Sequence, residues 1–124
     1  MSEMKKTILL VDDSNSMREM VSFTLKADGH NIIEAEDGTK ALDYARKNVV
    51  DLVITDVNMP NMDGITLTKE LRKLETYKFI PILILTTETA ADKKQEGKIA
   101  GATGWIEKPF DPDHLLGAVH RVIG

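Results

Sequence analysis

An α/β fold, with five parallel strands in a doubly wound sheet ordered 2-1-3-4-5 and five helices, is predicted by three features of this sequence. Short apolar runs of strand length alternate with segments of helical period along the chain. The runs are rich in Ile, Val and Leu without polar alternation, as strands covered on both faces should be. Four of them end in residues able to do chemistry: Ile8 to Val11 in Asp12 and Asp13, Leu52 to Thr55 in Asp56, Ile82 to Leu85 in Thr86, and Trp105 to Glu107 in Lys108.

The strands are Thr7 to Val11, Asn31 to Ala35 (the weakest pattern), Leu52 to Thr55, Ile82 to Thr86 and Gly104 to Glu107. The first helix, Ser14 to Ala27, sets Met17, Met20, Val21, Thr24 and Leu25 on one face, and the second, Thr39 to Lys47, sets Ala41, Leu42 and Ala45. Gly64 to Leu74 carries Ile65, Leu67, Leu71 and Leu74. Pro112 to Ile123 carries Leu115, Leu116, Val119 and Ile123, with Pro112 at a favoured first-turn position. The fourth helix, Ala90 to Ala100, contains a polar run with an interior glycine, Gly97, that costs about 1 kcal/mol relative to alanine, so it is expected to be the least stable. Gly29 and Gly101 supply left-handed helix ends. Five successive βα units with right-handed crossovers wind the sheet both ways and place the first and third strands side by side where the winding reverses. Ligands bind beyond the carboxyl ends of such strands, so Asp12, Asp13 and Asp56 are expected in one acidic pocket.

A chain of 124 residues fits one domain spanning 1–124. Sixteen basic and 20 acidic residues give a net charge of −4, which offers no footprint for nucleic acid or an anionic membrane. Without cysteine, disulfides and thiolate metal sites are excluded. No apolar run reads as a signal peptide or a membrane span, so a cytoplasmic protein is the simplest expectation. His30, His114 and His120 read as surface residues without a function.

Three close carboxylates repel one another and call for a cation. Oxygen-only ligands suit Mg²⁺, with Mn²⁺ a second possibility, and Lys108 supplies another positive charge. A carboxylate that attacks a phosphoryl donor becomes an aspartyl phosphate, whose oxygens can be shared by the metal, the ammonium and the Thr86 hydroxyl.

The set Asp12-Asp13, Asp56-Val57-Asn58-Met59-Pro60-Asn61-Met62-Asp63-Gly64, Thr86 and Lys108-Pro109-Phe110, in that order, resembles the receiver domain of two-component response regulators over essentially the whole chain. The resemblance implies a flavodoxin-like fold and Asp56 as phosphoacceptor. It also implies Mg²⁺ held by Asp13, Asp56 and the main-chain carbonyl of Asn58, with Asp12 acting through water. Lys108, aimed by a cis Lys108–Pro109 bond, would bridge to the phosphoryl group, and Thr86 would follow it. Ending at Gly124, the sequence reads as a stand-alone receiver most similar to the chemotaxis type, with Asn58 and Glu88 modulating the site and Trp105 as the aromatic partner of the threonine switch. Two positions depart from the family pattern. Thr87 stands where a very small residue is usual, which implies reduced access to Asp56, and Trp105 replaces tyrosine or phenylalanine.

The implied partners are a histidine kinase and a flagellar motor switch protein. The alternative is a phosphorelay intermediate or phosphate sink that exchanges phosphate with a histidine phosphotransfer protein. A Mg²⁺-dependent phosphatase of similar fold needs an aspartate where Asn58 stands. The reading is therefore a signalling protein that assists its own phosphorylation and dephosphorylation, not an enzyme.

Overall fold

In the computed structural model, which describes residues 5–123, all five strands fall where the sequence puts them: β1 Thr7–Val11, β2 Asn31–Ala35, β3 Leu52–Thr55, β4 Ile82–Thr86 and β5 Gly104–Glu107. They form one parallel sheet in the order β2-β1-β3-β4-β5. The helices are α1 Asn15–Ala27, α2 Gly38–Lys47, α3 Gly64–Lys73, α4 Ala91–Ala100 and α5 Pro112–Ile123. Helices α3 and α5 start where predicted, α1 starts one residue later because Ser14 caps it from outside, α2 starts one residue earlier, directly after its cap Asp37, and α4 starts one residue later. Ser14 accepts from the Met17 N–H, Asp37 from Lys40 and Asp63 from Thr66.

The unalternating strands bury both faces. Along β1, Ile8 and Leu10 join Val21 and Leu25 of α1 and Leu115 and Val119 of α5, whereas Leu9 and Val11 join Ala41 and Leu42 of α2 and Leu67 and Leu71 of α3. The edge strand β2 is the least covered.

The α4 helix has no side-chain cap and buries only Gly97 and Ala100. Its interior glycine has a packing reason: a Cβ at Gly97 would lie 2.9 Å from the ring of Trp105. Its far end is clasped by Arg72, whose guanidinium donates to the carbonyls of Gly101, Tyr77 and Ile80. Gly101 adopts φ 109° as the helix terminator, and Gly29 does the same after α1 at φ 95°.

Two expectations are corrected. Met20 is 56% exposed, not part of the buried face of α1. The buried stripe centres on Val21 and Leu25, and Met20 lies about 100° to one side of Val21. His30 is buried, not a surface residue, because it seals the junction of α1 with the sheet. Its Nδ1 accepts from the Lys6 N–H, and its Nε2 lies 2.8 Å from Asp28, which also meets exposed His120 at 2.7 Å.

Candidate functional site

Val11 pairs with Thr55, so the chain leaves β1 at Asp12 and β3 at Asp56 side by side. At the exit of β5, Lys108, which is followed by a cis bond to Pro109, reaches both: its Nζ is 2.7 Å from Asp12 Oδ2 and 3.1 Å from Asp56 Oδ2. The two carboxylates are held alike. Each presents Oδ2 to Lys108 and accepts a backbone N–H on Oδ1, from Ser14 at 2.9 Å for Asp12 and from Val57 at 2.6 Å for Asp56. Behind Asp12, the Arg18 guanidinium donates to its carbonyl and pairs with Glu34 at 3.0 Å. Asp13 completes the cluster from the exposed side, and one oxygen of each of the three aspartates lies within 4.8 Å of the others.

The electrostatics follow from burial. The side chain of Lys108 is 7% exposed, and desolvation alone would lower its pKa. The Asp12 hydrogen bond and the charges of Asp56 and Asp12 outweigh that and raise it above the usual lysine value. The ammonium therefore stays charged at neutral pH. Three carboxylates without nitrogen or sulfur donors among them form a hard-oxygen set, which suits Mg²⁺.

The structure brings Asp12, Asp13, Asp56 and Lys108 together. Thr86, fully buried at the end of β4, is tied elsewhere: its hydroxyl accepts from the Glu88 N–H at 3.2 Å. The Glu88 carbonyl in turn accepts from Trp105 Nε1 at 3.2 Å. Glu88 is thus the physical link between Thr86 and Trp105, whose half-buried ring rests on Gly97 and Ile84. Asn58 and Thr87 are exposed.

Sequence reasoning passed over Arg18, Asp37 and Asn61. A capping signal was present at Asp37, an aspartate just ahead of the helical pattern. Buried Asp37 accepts from the Thr39 hydroxyl, the Lys40 N–H and Asn61, which together hold its pKa at about 2. A carboxylate lowered on folding stabilises above its unfolded pKa, about 3.8, and loses that contribution as pH falls toward 2. Urea midpoints of the wild type should therefore fall between pH 4 and pH 2, and Asp37→Asn should flatten that part of the profile.

With this fold and cluster, the chain belongs to the response regulator receiver domain family, which it matches over residues 8–120. Its relatives include chemotaxis proteins of the CheY type. It is 40% identical over 119 residues to a CheY homologue of Campylobacter jejuni, covering 94% of this chain and 92% of that one. It is 43% identical over 104 residues to CheY-3 of Vibrio cholerae, covering 83% and 80%. Among solved structures, CheY4 of Vibrio cholerae superposes with a TM-score of 0.89 at 52% identity, covering 94% of this chain and 97% of that one. The receiver domain of the histidine kinase PA1611 from Pseudomonas aeruginosa, solved with a magnesium ion in its active-site cleft, gives 0.91 at 28% identity and covers 97% and 98%. The protein is thus a CheY-like receiver, a signalling protein.

Proposed function

We propose that the 124 residues act as one receiver, phosphorylated on Asp56 by a histidine kinase, and carry a chemotaxis signal to the flagellar motor switch. The observation that carries this reading is the sharing of one buried ammonium between Asp12 and Asp56 beside the open carboxylate of Asp13. In the proposed reaction an oxygen of Asp56 attacks phosphorus, the bond to the donor's leaving group breaks, and an acyl phosphate forms. Asp13, Asp56 and the main-chain carbonyl of Asn58 would hold Mg²⁺, with Asp12 acting through water. When bound, the ion supplies positive charge for the phosphoryl oxygens. Lys108 would leave its carboxylate partners to bridge to the phosphoryl group. Thr86 would then give up the Glu88 N–H, and that step would be felt at Trp105 through the Glu88 carbonyl. Asn58, Thr87 and Glu88 would set phosphoryl lifetime. A cytoplasmic location follows from the proposed partners.

A second reading, phosphate exchange with a histidine phosphotransfer protein, is favoured by one feature. Met20 and Phe23 are 56% and 76% exposed on α1 and line, with Phe110 and Pro112, an apolar groove of about 540 Å³. The groove adjoins the segment that carries Lys108, where a phosphohistidine-bearing surface would approach.

Incubation with Mg²⁺ and a small acyl-phosphate donor should add one acid-stable, base-labile phosphate per chain and none to Asp56→Asn. Uptake by that variant would overturn the acceptor assignment. Phosphorylation-dependent binding of a flagellar switch peptide would favour the first reading, and return of phosphate to a phosphotransfer protein the second.

A further inference from the structure

We propose that Asn61 and Asp37 are positioning residues for the acidic pocket, clamping the segment between Asp56 and α3 so that it keeps the shape a divalent cation requires; this rests on the reading that the pocket binds Mg²⁺. Both ends of the segment are fixed locally. The Val57 N–H sits on Asp56 Oδ1, the Gly64 N–H on the Val57 carbonyl, and Asp63 caps α3. Its middle is different, with Asn58, Pro60 and Asn61 exposed. Among the described residues, one hydrogen bond ties that middle to another part of the chain: Asn61 Nδ2 donates to Asp37 Oδ2 at 3.0 Å.

The partner of Asn61 is itself immobile. Asp37 is 3% exposed, and its Oδ1 is taken by the Lys40 N–H at 3.0 Å and the Thr39 hydroxyl at 2.6 Å, which leaves Oδ2 for Asn61. The next residue presses on the same segment: a Cβ at Gly38 would lie 2.6 Å from the Met62 carbonyl oxygen. Asn61 meanwhile holds φ 68°, a left-handed conformation that side chains rarely adopt and asparagine tolerates better than most. Such a conformation persists where its surroundings over-determine it. The clamp also borders the pocket, since Asp13, Asp37 and Asn61 line one recess of about 320 Å³. Asn58, whose carbonyl is the proposed main-chain ligand, lies in the segment the clamp restrains. Groups bonded directly to metal ligands typically account for 10- to 100-fold in metal affinity, and the clamp, acting one step further out through the chain, is expected at the low end of that range.

Asn61→Gly isolates the clamp, because glycine adopts φ 68° freely and only the side chain is lost. Calorimetric Mg²⁺ titration of the wild type comes first; no binding there would overturn the reading of the pocket itself. With the wild type binding, Asn61→Gly should raise the Kd about tenfold. In the metal-free variant, amide exchange should accelerate across residues 57–63 while thermal stability stays close to the wild type. The double variant Asp37→Asn, Asn61→Asp keeps a good helix cap and remakes the bond with donor and acceptor exchanged, so it should recover most of the affinity. A Kd within twofold of the wild type for Asn61→Gly, or no recovery in the double variant, would overturn the clamp.

Discussion

Lys108→Met is expected to destabilise the metal-free protein by about 3 kcal/mol at neutral pH, the usual cost of removing one partner from a buried ion pair. The side chains of Asp12 and Asp56 are 5% and 12% exposed, and both point their Oδ2 atoms at the ammonium that methionine would remove. A thioether fills the space without supplying charge. Burial and mutual repulsion would then push at least one carboxylate pKa upward. A carboxylate raised on folding penalises the folded state above its unfolded pKa, and the penalty fades as pH falls toward that value. The stability gap from the wild type should therefore narrow from pH 7 to pH 4. Added Mg²⁺ should narrow it at pH 7, since a cation that binds the folded pocket replaces part of the missing charge. Urea unfolding at both pH values, with and without Mg²⁺, measures both effects. Equal stability of variant and wild type at pH 7 without metal would show that the ammonium does not hold the pocket together.

Gly64→Ala should be the most damaging glycine-to-alanine change among the described residues, with a loss above about 4 kcal/mol or no folded protein. A Cβ there would fall 1.8 Å from the Asp56 carbonyl oxygen and 2.8 Å from its carbonyl carbon. Both are backbone atoms at the end of β3, so either α3 or Asp56 itself must move. Gly117→Ala is the control, with no atom within 4 Å of the added carbon in the interior of α5. It should stabilise by up to about 1 kcal/mol through helix propensity. Thermal unfolding of the two variants makes the comparison, and a Gly64→Ala protein of wild-type stability would refute the packing argument.

The difference between these glycines separates what was legible in the sequence from what was not. The inner strands β1, β3 and β4 could be read because a strand buried on both faces is written as a continuous apolar run, whereas the edge strands β2 and β5 are partly exposed and carry shorter signals; strand order followed from chirality and connection. The meeting of Asp12, Asp13, Asp56 and Lys108 followed as well, because these residues end strands that finish at one edge of the sheet. Side-chain partnerships across the chain were not legible in this way. Helical period placed Met20 on a face but could not say how wide a stripe α5 and the sheet would cover. His30 looked like a surface residue because nothing local reveals that it receives the Lys6 N–H.

By itself, the sequence determined the strand order and which charged residues meet in the pocket, since both depend on residue type and position along the chain. Tertiary structure alone decided which groups hold the pocket in shape. The contact of Asn61 with Asp37 spans 24 positions, and the link from Glu88 to Trp105 spans 17. Such bonds depend on which distant segments the fold brings side by side, which no periodicity encodes.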